Sequence, residues 1–306
     1  MKLFILAILF LVSKTGPVHG YVRTTTSHGT PLSWRRSCVF ITPDSRGCPV
    51  LGPSNSITAL NAAIQAWNEA AWTCNSYIQF ILEDPEPNLK RGFTTEGTNK
   101  NVVVWLDEVW GGDEFFYDPN AVALTTITFI SDPGAQDDGE ILDTDIEFNG
   151  VHQTFSVHPD GEPGKYDIQN TFTHELGHVL GLDHLCHDGS NSTRPIDHRG
   201  DPIPDCHPKG DLPELITDSA MYNYTVAGET KKRYLSQDDI AGICGIYPAS
   251  EDPGICKPIS FSDYACSCRH LPSRKAPLEK FVLLLLLFPA AVAARRKKIS
   301  ARLFRF

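Results

Sequence analysis

Hydrophobic and polar positions alternate along the chain with periods that change several times, and each change marks an element. The stretch "CVFITPD" (residues 38–44) is apolar and β-branched and reads as a first strand. After Gly52-Pro53, the segment 54–73, "SNSITALNAAIQAWNEAAWT", places Ile57, Leu60, Ala63, Ile64, Trp67 and Ala71 at helical spacing behind a serine, which predicts an amphipathic helix. "YIQFILED" (77–84), "NVVVWLD" (101–107), "ALTTITFIS" (123–131) and "EILDTDIEFN" (140–149) read as four further strands. The period returns to helical in "DIQNTFTHELGHVLGL", where Ile168, Phe172, Leu176, Val179 and Leu180 form one apolar face. A polar, irregular stretch follows from about 185 to 215. "SQDDIAGICGIYP" then predicts a short last helix with Ser236 as its N-cap and two aspartates in the first turn, where the helix dipole favours them. Strand, helix, several strands, helix, loop and helix make one α/β (α+β) domain: a mixed, mostly parallel five-stranded sheet with one antiparallel edge strand, covered by helices.

The two ends do not fit that pattern. Residues 1–20 carry Lys2, an apolar run and a small-residue close at Val18-His19-Gly20, the layout of a secretory signal peptide. Residues 21–37 are a polar lead-in, 38–248 the folded domain, 249–280 a linker, and 281–306 a tail in which fourteen mostly apolar residues precede "RRKK". That apolar stretch is short of the roughly 20 residues of a stable spanning helix, and its cationic flank would stay on the cytoplasmic side. The basic residues concentrate in the two ends, so the body between them is far more acidic than the net charge of −10 for the whole chain. An acidic exported domain argues against nucleic acid as a partner. Export also makes disulfides the default use of the nine cysteines. Cys186 and Cys206 bracket a polar loop and would staple it, and Cys38 would pair with Cys74 or Cys48; connectivity does not follow from sequence.

The chemistry sits in "HELGHVLGLDH", residues 174–184. His174 and His178 are four apart on a helix, so both imidazoles leave one face a turn apart. Gly181 can take the left-handed conformation that ends a helix sharply, and the chain can then turn back to bring His184 to the same cation. Three neutral nitrogen ligands and one open position make a catalytic zinc site rather than a closed structural one. Glu175, one step round the helix, stands beside the metal as a general base for the attacking water.

The pattern H-E-x-x-H-x-x-G-x-x-H in these residues resembles the signature of the metzincin metallopeptidases. The resemblance implies a zinc endopeptidase with His174, His178 and His184 as metal ligands, Glu175 as the catalytic residue, and a tight turn beneath the ligands at Met221, the only methionine besides Met1. "LSQDDIAGICGIYP" (235–248) and "GEILDTDIEFN" (139–149) are similar to the closing helix and the strand before the zinc helix of bacterial matrixins. Asn223 stands two residues after the methionine, where astacins and serralysins place a tyrosine, which favours the matrixin side. That layout implies that "ALTTITFIS" is the edge strand above the cleft, pairing with an extended peptide. "YACSCRH", with its Cys266-Ser267-Cys268, and the basic-ended apolar tail together resemble the C-terminal sorting tags of myxobacterial surface proteins. They imply attachment to a membrane or cell surface and removal of the tail.

The expectation is a monomeric zinc peptidase, secreted, extracellular or attached to the cell surface or outer envelope, acting on protein or peptide substrates. Calcium is a further candidate cation, through the acidic loop 131–139 with Asp143 and Asp145. The loop 185–211, with His187, His198 and His207, is a weaker candidate for a second metal. The rival reading is a surface binding or adhesion protein whose zinc is structural; it has no use for Glu175 beside an open coordination position.

Overall fold

The apolar run "NVVVW" lies at the middle of a sheet, as its two-sided hydrophobicity requires. The computed structural model describes residues 20–111, 117–189, 193–207, 211–264 and 299–306. In chain order the elements are β1 (Val22–Arg23), β2 (Cys38–Pro43), α1 (Gly52–Thr73), β3 (Gln79–Leu82), β4 (Asn101–Leu106), β5 (Ala123–Ile130) and β6 (Ile141–Asn149). They continue with β7 (Phe155–Ser156), β8 (Tyr166–Asp167), α2 (Ile168–Val179), β9 (Leu182–Asp183), α3 (Glu214–Thr217), α4 (Gln237–Ile246) and β10 (Ile299–Arg305).

The main sheet has the order β10-β5-β6-β4-β2-β3. The strands β3, β2, β4 and β6 run parallel, and β5 is antiparallel to β6. These are the five expected strands with their one antiparallel member. Among the described residues the count is nevertheless six, and β5 is not the expected edge, because β10 adds itself antiparallel to its outer side. Without β10 the backbone groups along that side of β5 would lack strand partners.

Helices cover one face. Along α1, Ala59, Leu60, Ala63, Ile64, Trp67, Ala70 and Ala71 are buried, the i, i+3/i+4 stripe that the sequence displays. The Trp67 indole donates to the Thr173 carbonyl at 2.9 Å and so locks α1 against α2. Asn68 binds both backbone groups of Phe80, at 2.8 and 2.9 Å, which fixes α1 on β3. On this side Trp105 stacks on Phe148 (4.7 Å), and Phe148 meets Phe155 and Phe172.

The other face is covered by loops. This explains why β6, "ILDTDIEFN", is buried throughout although every second residue is polar. The Gly92 and Val102 amides donate to Asp145, Asn99 donates to Asp143 at 2.6 Å, and Arg91 pairs with Glu147. The covering loop and β4 thus supply partners for most of the polar side chains of β6, while one oxygen of Asp143 has none.

Among the described residues, three disulfides brace this arrangement. Cys186–Cys206 closes the loop as expected. The other two correct the expectation for Cys38: it pairs with Cys256, while Cys74 pairs with Cys244 and Cys48 is a buried free thiol. The partners come from the far end of the chain because α4 packs against α1, and residues 249–264 return along the sheet with Ile259 buried. The lead-in also packs: β1 pairs with β9, and Leu32 is fully buried. No helix among the described residues is long and apolar enough to cross a membrane. Of the expected signal peptide (1–20), Cys-x-Cys motif (266–268) and C-terminal tail (281–306), residues 1–19, 266–268 and 281–298 lie outside the described residues, whereas the end of the tail forms β10.

Candidate metal centre

Helix α2 starts at an N-cap, Asp167, whose carboxylate accepts from the Asn170 amide at 2.7 Å. From this start the helix carries His174 and His178 to one face. Gly181 then adopts φ +83°, and its amide donates to the His178 carbonyl at 2.8 Å. A Cβ at Gly181 would also lie 2.8 Å from the Leu32 carbonyl oxygen, so the left-handed turn and the close approach both require glycine here. The chain reverses, β9 pairs with β1, and His184 arrives opposite the helix.

The three Nε2 atoms converge, with separations of 3.1, 3.1 and 3.3 Å. Tetrahedral ligation at a zinc–nitrogen distance of about 2.0–2.1 Å spaces ligand atoms by roughly 3.3 Å, so the set fits one zinc ion. The ring orientations are fixed from behind. His174 Nδ1 lies 2.6 Å from the Ala220 carbonyl and His178 Nδ1 lies 2.9 Å from the Leu182 carbonyl. A carbonyl accepts from Nδ1–H, which turns the Nε2 lone pair toward the shared point. Burial lowers the pKa of all three, that of His178 to about 3 and that of His184 to about 4. Among the described residues this is the only group of three or more His, Cys, Asp or Glu side chains positioned to share an ion.

Glu175 is fully buried beside the cluster. Its Oε2 accepts from the Thr125 hydroxyl of β5, and its Oε1 has no protein partner. Burial pushes its pKa up to about 8, against the opposing effect of the Thr125 hydrogen bond. Met221 is buried beneath the helix; a Cβ at Gly177 would fall 2.1 Å from its Sδ. The residue beside it, Ala220, supplies the carbonyl behind His174. That turn hangs on one carboxylate, Asp239, which accepts from the Ser219 hydroxyl (2.6 Å), the Ala220 amide (2.9 Å) and the Met221 amide (3.3 Å). Asp239 also closes the capping box of α4 by accepting from the Ser236 amide at 2.7 Å.

His174, His178, Glu175, His184 and Met221 therefore meet at one place. Thr125 and Asp239 are further site residues that the sequence reading did not single out. Thr125 carries no local signal, whereas Asp239 stands in the capping position of a recognisable helix start. The remaining histidines do not assemble a second centre among the described residues: His187 lies 3.6 Å from Asp205, His198 stacks on Tyr21, and His207 meets the Tyr224 hydroxyl. Of the carboxylates expected to bind calcium, Asp138 and Asp145 are engaged by protein donors, while Asp143 keeps one oxygen without a partner. Asp138 accepts from Thr30 and from the Asp132 amide, and Asp145 accepts from two backbone amides.

A cleft of about 740 Å³ opens beside the cluster, lined by His184, Tyr166 and Tyr224 among others. Part of its wall is β10: Phe306 stacks on His174 (3.9 Å) and Phe304 on His178 (4.3 Å).

No protein-family model and no curated protein matches the chain. Among solved structures, one of myroilysin is 16% identical over 71% of this chain and 82% of its own, with a TM-score of 0.30. A second myroilysin structure is 13% identical over 76% and 92%, with a TM-score of 0.32. Metalloproteinase-II from Bacteroides fragilis is 10% identical over 76% of this chain and 59% of its own, also with a TM-score of 0.32.

Proposed function

We propose that the protein is an exported zinc-dependent endopeptidase of the matrixin type. The observation that carries this reading is the convergence of three histidine Nε2 atoms within 3.3 Å next to a buried carboxylate of α2, Glu175, that is held by Thr125 of β5. His174, His178 and His184 would hold the ion. When bound, zinc acidifies water and polarises a peptide carbonyl. Glu175 takes the proton of the attacking water at Oε1, the oxygen free of protein partners, and returns it to the leaving amine. Thr125 holds the other carboxylate oxygen, so the carboxylate keeps one orientation through both transfers. Strand β5, whose outer side pairs with β10, would align an extended peptide by main-chain hydrogen bonds in place of β10. The turn at Met221 and the capping box of α4 fit the matrixin branch, and three disulfides fit an oxidising, extracellular setting.

The test combines zinc content with cleavage of unfolded casein, with and without a chelator. One zinc per chain and chelator-sensitive cleavage are expected, and Glu175→Ala should keep the zinc and the fold while lowering kcat at least 100-fold. Undiminished cleavage by Glu175→Ala would refute the role of Glu175. One zinc with no cleavage of any peptide would instead favour a binding protein with a structural metal.

A further inference from the structure

Strand β10 pairs with β5 over its whole length, from Ile299 opposite Ile130 to Arg305 opposite Leu124. The ladder runs on past the strand: the Val122 amide donates to the Phe306 carbonyl at 2.5 Å, and the Phe306 amide donates to the Ala123 carbonyl at 3.1 Å. Side chains alternate as in any strand. Ala301 and Leu303 point outward and are exposed, while Phe304 and Phe306 are buried and point at the metal centre. Phe304 lies opposite Thr125, the residue that holds Glu175, and its ring covers the His178 imidazole; the ring of Phe306 covers that of His174. Arg302, on the same face, pairs with Asp183 at 3.1 Å and donates to the Thr25 carbonyl at 3.2 Å. The Asp183 carboxylate also accepts from the His184 amide at 2.8 Å. A basic, aromatic strand thus lies antiparallel on the edge where an extended peptide would bind, with two rings stacked on two of the three histidines.

We propose that residues 299–306 are an intramolecular inhibitor of this site. The segment fills the peptide groove in the manner of a bound peptide and is held by the β5 ladder, the two aromatic stacks and the Arg302–Asp183 pair. It follows that the groove takes extended peptides antiparallel to β5, with aromatic side chains over the histidines and a cation at Asp183. The proposal rests on the peptidase reading for its consequence, but not for its geometry: a scissile carbonyl reaches the histidines only after the rings leave.

The test uses the full chain with Phe304→Ser and Phe306→Ser together, and in parallel Arg302→Glu, each checked for an unchanged far-ultraviolet circular dichroism spectrum. Two readouts are needed. The first is metal-free: fluorescence anisotropy of a labelled peptide with the sequence of residues 299–306, and amide exchange across residues 124–130. The double variant should bind the added peptide at least 10-fold more tightly than the parent chain, and its β5 amides should exchange faster until the peptide is added. The second is casein cleavage, which should rise at least 10-fold in the double variant, rise less in Arg302→Glu, and fall again with added peptide. Equal peptide binding and equal amide exchange in parent and variants overturn the proposal, whatever the cleavage rate. Peptide binding restricted to the variants, with no cleavage by any of them, upholds the occupied groove and sinks the peptidase reading instead.

Discussion

At the scale of single residues, Asp239 does more than its position in a helix cap indicates. Its buried carboxylate gathers the Ser219 hydroxyl and three backbone amides, two of them in the turn whose Ala220 carbonyl orients His174. Removing the acceptor leaves those donors buried and unpaired, at about 1–3 kcal/mol for each group that finds no substitute. It also frees the Ala220 carbonyl to move, and losing such outer support typically costs 10–100-fold in metal affinity. Asp239→Ala should therefore lower the melting temperature and weaken zinc binding together. Asp239→Asn, which keeps one acceptor oxygen, should restore part of both. Competition with a chromophoric chelator reads the affinity. Zinc affinity unchanged in a destabilised Asp239→Ala would reduce the residue to a cap and remove its positioning role.

At the scale of elements, the helices and strands follow from period and composition, whereas the links between them do not. The stripe of α1, the runs of β2 and β4 and the Ser236 start of α4 are local patterns, and each forms at its expected place. The convergence of His174, His178 and His184 was equally legible, because helix geometry and one glycine turn place all three within eleven residues. Thr125 was not legible: what brings it to Glu175 is the pairing of β5 with β6 and the seating of α2 on that sheet. The cysteine pairs were hidden for the same reason, since Cys74 ends α1 and Cys244 lies on α4, which is 170 residues away in sequence and adjacent in space. A cross-link over so long a loop restricts the unfolded chain strongly. Replacing Cys74 and Cys244 by serine together should cost about 2–5 kcal/mol, read as a drop in denaturant midpoint with the zinc ligands intact. Loss of less than 1 kcal/mol would mean that the packing of α1 on α4 alone sets their geometry.

At the scale of the whole molecule, the sheet buries carboxylates on the face away from the helices, and this gives stability a pH dependence separate from that of the metal centre. Asp143 is fully buried; Asn99 donates to one of its oxygens and the other has no partner. Burial pushes its pKa up to about 7, against the opposing hydrogen bond from Asn99, and burial together with the Asp143 charge also raises Asp145. A carboxyl raised on folding binds its proton more tightly in the native state than in the unfolded chain. Its stabilising contribution is complete below the unfolded value near 4 and is lost as pH rises through the folded value near 7. The protein should therefore be more stable at pH 5 than at pH 8, by about 1–3 kcal/mol from this pair. Asp143→Asn keeps the acceptor that Asn99 meets and removes the buried charge, so it should stabilise the chain at pH 8, change little at pH 5 and flatten the profile between them. Urea midpoints at the two pH values decide the matter. An Asp143→Asn chain less stable than the parent at pH 8 would mean that the charged form is compensated, and that a cation or a rearranged loop over β6 supplies what the orphaned oxygen lacks.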